Sequence, residues 1–152
     1  MVGSHERPAR IWRNVPRTYD NRYPEHLLQE MAAAERAGAV TVEVPSTEFE
    51  TLVELGEPMI YVVVGDRPLV CRRHLMGEQI SHAVRSRGGP VYAAGEIEVV
   101  RDGSEQLVIL VNNRSSHYRP GPESLVVARQ ALEARGLRVL PGSVQARGRS
   151  LP

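Results

Sequence analysis

The chain has 152 residues, of which 41% are hydrophobic and 24% are charged, as is ordinary for one globular domain. Its 19 basic and 18 acidic side chains leave a formal net charge of +1, which excludes a strong overall field toward nucleic acid or an anionic membrane. Cys71 is the only cysteine in the sequence. An intrachain disulfide is therefore excluded, and a cysteine-based zinc site is not expected.

No apolar run of the sequence approaches the ~20 residues that span a bilayer, and the N-terminal residues lack the apolar core of a signal peptide. We therefore expect a protein that is cytoplasmic, or exported without a signal peptide, and that makes no membrane contact. Lysine is absent, and alanine, glycine and proline are frequent, as is typical of GC-rich bacterial coding sequences. The number of arginines alone therefore indicates no function.

The sequence divides into an N-terminal arm (residues 1–23), one domain (24–140) and a C-terminal tail (141–152). The arm carries prolines and arginines interleaved with aromatic residues. We expect the aromatic side chains to pack on the domain, although arginines beside aromatic rings can also bind a polynucleotide. The tail is rich in glycine, arginine and serine and is predicted to be disordered. The aromatic residues of the arm are Trp12, Tyr19 and Tyr23.

Helical and strand patterns follow one another along the domain. Pro24 suits the first turn of a helix that ends before Gly38, and Ser46 can cap the next helix. Residues 74–88 fit either a short helix or a loop. The remaining patterns predict, in chain order, a helix at 24–37, a strand at 40–44, a helix at 46–55, strands at 59–64, 69–72, 90–100 and 105–113, a helix at 122–135 and a strand at 137–140.

These elements predict an α+β fold with a mostly antiparallel sheet of about five strands, flanked by two or three helices. Turn-forming residues at 65–68 and 101–104 separate neighbouring strands, as in antiparallel hairpins. In the first helix, Leu27, Leu28 and Met31 follow helical spacing and are predicted to face the core.

A polar segment between the last hairpin strand and the final helix is the main candidate site. It follows an apolar strand, so a rigid sheet can present its side chains to a ligand. His117 can exchange protons near neutral pH, and arginines can hold a phosphate or carboxylate with two hydrogen bonds. Alternatively, the histidine and tyrosine pack against the final helix while Ser115 braces the turn by satisfying backbone donors. The predicted substrate-binding residues are Arg114, Ser115, Tyr118 and Arg119.

Glu96 is a second candidate catalytic residue. Strand alternation places it on the same face as Ala94 and opposite Ile97. Small residues before it leave room for a ligand, and Gly95 permits a close backbone approach or a bulge. Its carboxylate could then lie near the turn at 115–119. The alternative is a solvated strand face.

The spacing of His74, Glu78 and His82 suggests a third candidate. On a continuous helix these side chains would form one seam that can bind a divalent metal. Gly77 interrupts the segment, and no HExxH pattern is present. We therefore predict no metal site and no cofactor, and keep His82 as a separate catalytic candidate.

Several short motifs between residues 81 and 136 resemble a known module. In order, the module has His-Ser-Ser, Gly-Gly, Ala-Gly-Glu and Ser-Gly-His-Tyr-Arg-Pro. It is similar to the C-terminal part of plant IQ-motif calmodulin-binding proteins and to modules of bacterial effector and polymorphic-toxin-like proteins. The matching residues here are Ser81-His82, Gly88-Gly89-Pro90-Val91, Ala94-Gly95-Glu96-Ile97, Asp102-Gly103 and Ser115-Ser116-His117-Tyr118-Arg119-Pro120.

The resemblance implies functional roles at the positions of this chain that match the module. The match is incomplete at two positions. Ala83 stands where the module has a serine, and Ser116 where it has glycine, so the turn can differ in backbone conformation. The calmodulin-binding segment of the plant proteins has no counterpart, so calmodulin is not expected as a partner. The positions implied are His82, Glu96, Ser115, His117, Tyr118 and Arg119.

Two functions remain open from the sequence. The first is an effector- or toxin-like enzyme that uses histidine and glutamate for acid–base chemistry and arginine to anchor a nucleotide or another phosphate-bearing substrate. Ribonuclease-like cleavage and nucleotidyl or ADP-ribosyl transfer both fit this chemistry. The second is a binding module without turnover, such as an immunity, accessory or sensor protein that uses the same groove for a ligand or protein partner.

Overall fold

A seven-stranded sheet with helices on both faces forms the fold, described over residues 16–76 and 78–146 in a computed structural model. A 3₁₀ turn at Pro24–His26 precedes the first α-helix. The α-helices are α1 (Leu27–Ala37), α2 (Thr47–Leu55), α3 (His82–Ser86) and α4 (Ser124–Ala134). The strands are β1 (Val42–Glu43), β2 (Met59–Val64), β3 (Arg67–Arg72), β4 (His74–Leu75), β5 (Glu78–Gln79), β6 (Ala93–Asp102), β7 (Glu105–Asn112), β8 (Arg138–Val139) and β9 (Val144–Gln145).

The sheet is mostly antiparallel, which confirms the predicted α+β class. Its strands lie in the order β1-β3-β2-β6-β7-β8, and β9 pairs with another part of β7. Only β8 and β9 run parallel to their neighbour in this described sheet. The strand number exceeds the predicted five or so because Val144–Gln145, which was assigned to the tail, adds to the edge of β7 together with the predicted short strand near 137–140. No helix of the described residues is long and apolar enough to cross a membrane.

The helix boundaries follow the local signals in the sequence. Gly38, with φ of 77°, ends α1, and the Ser46 hydroxyl caps α2 by accepting a hydrogen bond from the Phe49 amide at 3.0 Å. The predicted inward face of α1 is wrong at Leu28, whose side chain is 82% exposed. The buried residues of the helix are Ala34, which continues the predicted spacing of Leu27 and Met31, and Ala37.

Residues 74–88 form both strand and helix. β4 and β5 make a two-stranded ribbon in which His74 pairs with Gln79, and α3 begins only at His82. A helical seam of His74, Glu78 and His82 is therefore wrong, because the first two residues belong to the ribbon. Among the described residues, no group of three or more histidine, cysteine, aspartate or glutamate side chains is placed to hold a metal ion.

Each face of the sheet has its own apolar core. On one face, α2 and α4 cover the sheet, with Phe49, Tyr61 and Leu132 completely buried. On the other face, Val62 and Ala94 pack with Ala83 of α3. Burying these side chains removes apolar surface from water, which is the main source of stability. The second face also carries the candidate site.

Both ends of the described chain pack on the sheet. Tyr19 forms a β-bridge with Val91 and is buried, as expected for an aromatic residue of the arm. The tail was predicted to be disordered from residue 141, yet Val144–Gln145 pairs with β7 because its backbone satisfies the exposed edge of that strand. Residues 1–15, which include Trp12, and residues 147–152 lie outside the described part of the chain.

Gly95 is the point where the two longest strands approach each other most closely. A Cβ atom built at this position would lie 1.8 Å from the carbonyl oxygen of Asn112 and 3.1 Å from the amide nitrogen of Arg114. Both contacts are backbone atoms, which cannot move aside as a flexible side chain can. The close approach predicted for Gly95 is therefore confirmed, and only glycine fits.

We expect Gly95→Ala to destabilise the fold by about 3 kcal/mol or more, because the strands must separate to admit the methyl group. Gly89→Ala is the matched control, since its Cβ would meet one atom at an ordinary 3.4 Å, and it should cost no more than about 1 kcal/mol. Urea denaturation of both variants measures the difference. Equal stability of the two variants would contradict the close approach.

Candidate functional site

A cavity of about 570 Å³ lies between α1, α3 and the sheet face beneath them. Its size is within the range of small-molecule sites. The three predicted catalytic residues all line this cavity, although they come from separate parts of the chain. Two of the predicted substrate-binding residues, Arg114 and Ser115, also line it. The ionisable side chains on its wall are Glu30, Arg73, His82, Glu96, Arg114 and His117.

His117 forms an ion pair or strong hydrogen bond with Glu30 at the cavity wall. Its Nε2 lies 2.6 Å from Oε2 of Glu30, and the two side chains are only 16% and 21% exposed. The edge of the His117 ring also meets Tyr23 at 5.2 Å between centroids. The carbonyl of His117 accepts a hydrogen bond from the Arg22 amide. Residues of the arm and of α1 thus fix the ring in one orientation.

Glu30 was not predicted to belong to the site, although its helical spacing indicates that it faces inward. Glu30 lies three residues after Leu27 and four before Ala34, so it shares the inward face of α1 with them. A carboxylate within an apolar helix stripe must find a partner when it is partly buried. The position of the partner in the fold, 87 residues away, could not be read from the helix.

Glu96 is held at the cavity wall by two partners. Its Oε1 accepts a hydrogen bond from the Asn112 side-chain amide at 3.0 Å, and its Oε2 lies 3.1 Å from the Arg73 guanidinium. The Glu96 side chain is 15% exposed. It is therefore not the solvated strand residue that the sequence left as an alternative. Arg73 was not predicted to belong to the site.

The Asn112 side chain replaces the regular strand pairing at the floor of the cavity. Regular pairing of β6 with β7 ends at Ile97 and Val111. Beyond it, Oδ1 of Asn112 accepts hydrogen bonds from the amides of Glu96 and Arg114, at 2.9 and 3.0 Å. One buried amide side chain therefore satisfies backbone donors on both strands and also binds the Glu96 carboxylate.

His82 occupies a buried position beside this junction. Its Nε2 lies 2.8 Å from the Gly95 carbonyl oxygen, which can only accept, so Nε2 carries the proton. The pKa of His82 is lowered to about 4, chiefly by burial and in smaller part by the nearby His117 and Arg85, while the Gly95 carbonyl and Glu96 oppose the shift. The ring is therefore neutral at pH 7. A neutral ring committed to a carbonyl is poorly suited to donate a proton.

The turn that carries His117 is braced by its neighbours. Ser115 accepts a hydrogen bond from the Tyr118 amide through its hydroxyl and from the Arg119 amide through its carbonyl. The Asn113 side chain donates to the Pro120 carbonyl at 2.9 Å. Ser115 therefore has the bracing role that the sequence offered as an alternative, although it also lines the cavity.

Tyr118 and Arg119 do not line the cavity, in contrast to the positions expected for substrate-binding residues. Tyr118 is buried, and its hydroxyl donates to the Gly89 carbonyl at 2.8 Å and lies 2.6 Å from the Ser86 hydroxyl. Burial also raises the pKa of Tyr118. Arg119 is exposed and has a φ of 44°. Tyr118 anchors the turn to α3, and Arg119 occupies the left-handed position of the turn.

We expect Asn112→Ala to cost about 2–4 kcal/mol, because two backbone amides lose their acceptor in a buried place. A double-mutant cycle with Glu96→Ala should give a coupling of about 1 kcal/mol or more. The control cycle pairs Asn112→Ala with Glu98→Ala, an exposed residue of the same strand, and should be additive. Equal coupling in the two cycles, measured by urea denaturation, would contradict the contact between Asn112 and Glu96.

We expect His82 to make the fold less stable in acid. Its folded-state pKa of about 4 lies below the unfolded value of 6.5, so between these values the unfolded chain binds more protons. The free energy of unfolding should thus fall as the pH drops from 6.5 to 4, by up to about 3 kcal/mol from this residue. His82→Gln lacks this titration. Urea denaturation should show the stability difference between wild type and variant shrinking toward pH 4, and a constant difference would contradict the assignment.

Comparisons with known proteins give no family for this chain. No protein-family model matches it, and neither a curated protein nor a solved structure is significantly similar to it. The resemblance to the plant and bacterial module therefore stays a prediction. The function has to be argued from the geometry of the cavity.

Proposed function

We propose that the cavity is the active site of an acid–base enzyme that acts on a nucleotide or another phosphate-bearing substrate. The Glu30–His117 pair carries this proposal, since it joins a histidine to an orienting carboxylate at the wall of an open cavity. A histidine with this kind of partner is a recurring arrangement for general-base catalysis. The pair needs no metal ion for proton transfer.

The proton chemistry follows from the orientation of the His117 ring. When Glu30 is ionised, its carboxylate accepts a hydrogen bond from the Nε2–H of His117. Nδ1 of His117 is then left as the free acceptor. Nδ1 takes the proton from an attacking hydroxyl or water, whose oxygen bonds to phosphorus as the bond to the leaving oxygen breaks. The imidazolium then returns the proton to the leaving oxygen. Glu30 stabilises the positive charge between the two steps.

Arginine side chains supply the charge that a phosphate needs. Arg114 lines the cavity and is exposed, so it can bind a phosphate oxygen as substrate enters. Arg73 also lines the cavity, but its guanidinium is already paired with Glu96. We assign Glu96 to orienting the substrate by binding one of the substrate's hydroxyl groups. Arg73 fixes the position of the Glu96 carboxylate. His82 is assigned to holding the floor of the cavity in its neutral form.

The wider setting proposed for this activity is a bacterial effector or toxin. The order of the Ala-Gly-Glu and His-Tyr-Arg-Pro motifs supports it, and so does the placement of His82, Glu96 and His117 on one cavity. Cleavage of a phosphodiester and transfer of a nucleotide moiety are both consistent with the proposed residues, because both develop negative charge on oxygen.

A second candidate function is ligand binding without turnover. The Glu96–Arg73 ion pair favours it, because each charge already has a partner before any substrate arrives. In that case the cavity would serve an immunity, accessory or sensor protein with a small molecule or protein segment as the ligand. The two functions differ in what His117 does, so one substitution separates them.

We expect His117→Ala to lower the rate of phosphate-ester cleavage or transfer by about 10²-fold or more, the usual contribution of a general base. The assay is chromatography of nucleotides and short oligonucleotides incubated with the purified chain. In parallel, induced expression in bacteria should slow growth for wild type and not for His117→Ala. His74→Ala is the matched control, since His74 is exposed and lies outside the cavity lining.

Circular dichroism must show that both variants are folded before the rates are compared. Wild-type rates in His74→Ala and lost activity in His117→Ala would support the enzyme. If wild type turns over none of these compounds, or if His117→Ala is as active as wild type, acid–base catalysis by His117 is wrong. Tight binding without turnover would then favour the second function.

A further inference from the structure

The charges on the cavity wall form two closed pairs. Glu30 pairs with His117, and Glu96 pairs with Arg73, with the four side chains between 15% and 34% exposed. Each carboxylate thus has a nitrogen donor at close range, the His117 ring for Glu30 and the Arg73 guanidinium for Glu96. Such pairs present little net charge to a ligand, but a second anionic group placed beside them meets a carboxylate oxygen at short distance.

Arg114 is the remaining cation of the cavity wall. Its backbone amide is fixed by Asn112, and its exposed guanidinium has no hydrogen-bond or ion-pair partner in the parts of the chain that the structure describes. The ring of His82 adds no charge, because burial lowers its pKa to about 4. The wall therefore offers one unpaired positive charge, located at the start of the turn that carries His117.

The rest of the cavity suits an uncharged body. Ala33 of α1, Ile60 of β2 and Ile80 line the space, where Ile80 packs with Ala34 in a small apolar cluster, and Gln29 and Gln79 also line it. Apolar walls with a few amide groups are typical of sites that bind a ring with polar edges. At about 570 Å³, the cavity has the size of a small-molecule site and encloses no long polymer.

From this distribution we infer that the ligand carries a single negative charge on a phosphodiester, as in a cyclic nucleotide, with its uncharged body against Ala33, Ile60 and Ile80. The inference rests on the proposed function and specifies its substrate class. The phosphodiester binds Arg114, and the two carboxylates of the wall select against additional charge. Mono-, di- and triphosphates of nucleosides are therefore poorer ligands than the corresponding diester.

The charge of the phosphate decides this selection. A phosphodiester carries one negative charge at neutral pH, whereas a monoester carries about −1.5 to −2 because its second pKa is near 6. Each further phosphate adds charge that Arg114 alone cannot balance. Repulsion from Glu30 and Glu96 is partly screened by the His117 and Arg73 groups that they contact, so we expect about a tenfold difference in affinity for each added charge.

The experiment measures binding of adenosine, 3′,5′-cyclic AMP, AMP, ADP and ATP to the wild-type chain by isothermal titration calorimetry at pH 7.5. The same series is repeated with guanosine and cytidine compounds, since the base is not specified by the charge argument. Affinity should peak at the cyclic diester and fall on both sides, toward the uncharged nucleoside and toward the triphosphate. A rise in affinity with every added phosphate overturns the inference.

Three variants test which residues produce the preference for the cyclic diester. Arg114→Gln should lower the affinity for cyclic AMP about tenfold or more, to that of adenosine, since a charge-assisted contact is lost. Glu96→Gln releases Arg73 from its ion pair and should raise the affinity for AMP and ADP relative to cyclic AMP. Arg36→Gln, on the exposed side of α1, is the control and should match wild type.

The outcomes separate this inference from the proposed catalysis. If the chain cleaves phosphate esters through His117 but binds triphosphates best, the substrate class is wrong and the acid–base site stands. If it binds the cyclic diester best but never turns it over, the ligand class stands and the enzyme is wrong. If none of the compounds binds, or if Arg114→Gln leaves their affinities unchanged, the inference is overturned.

Discussion

The cavity depends on the junction where the backbone pairing of β6 with β7 gives way to the Asn112 side chain. The paired register of the two strands contains an irregularity between Glu98 and Val99 and ends at Ile97 and Val111. The Asn112 side chain takes over as acceptor for both strand backbones. The Gly95 carbonyl beside this junction contacts the His82 ring. Because buried backbone groups must be satisfied, the opening is possible only with such a replacement.

The opening becomes a candidate site because helix α1 covers it with a carboxylate. Glu30 lies on the inward face of α1 and contacts His117 of the turn that follows β7. Tyr118 fixes that turn to α3 and to Gly89, so the position of the histidine is set by rigid elements. A preorganised pair of this kind lowers the cost of ordering groups during a reaction. The same rigidity serves a binding site, which is why turnover has to be measured.

Much of the fold was predictable because local chemistry decides it. Gly38 and Ser46 set helix ends, and the continuous apolar run of β2 sets a strand, without help from distant residues. The tail was not predictable, since Val144 pairs with β7 only after the sheet has formed. Leu28 was assigned to the core because helical spacing identifies a face only to within one residue on either side.

The candidate site was predictable only in part, because contacts between distant segments complete it. His82, Glu96 and His117 were identified as polar groups at strand ends and in a turn, and all three line one cavity. Their partners were not, because Glu30, Arg73 and Asn112 acquire their roles through contacts between distant segments. Tyr118 was assigned to substrate because a sequence does not reveal which face of a turn is buried. The chemical type of a side chain can be read from the sequence, but its contact partner is determined by the fold.

The central claim is that Glu30 and His117 act as one unit in proton transfer. Its most direct test is the rate of phosphodiester cleavage by wild type, Glu30→Ala, His117→Ala and the double variant under identical conditions. Residues that act as a unit are strongly non-additive, so the double variant should be within about twofold of His117→Ala. If the two single losses multiply in the double variant, or if Glu30→Ala keeps the wild-type rate, the two residues act independently and the account is wrong.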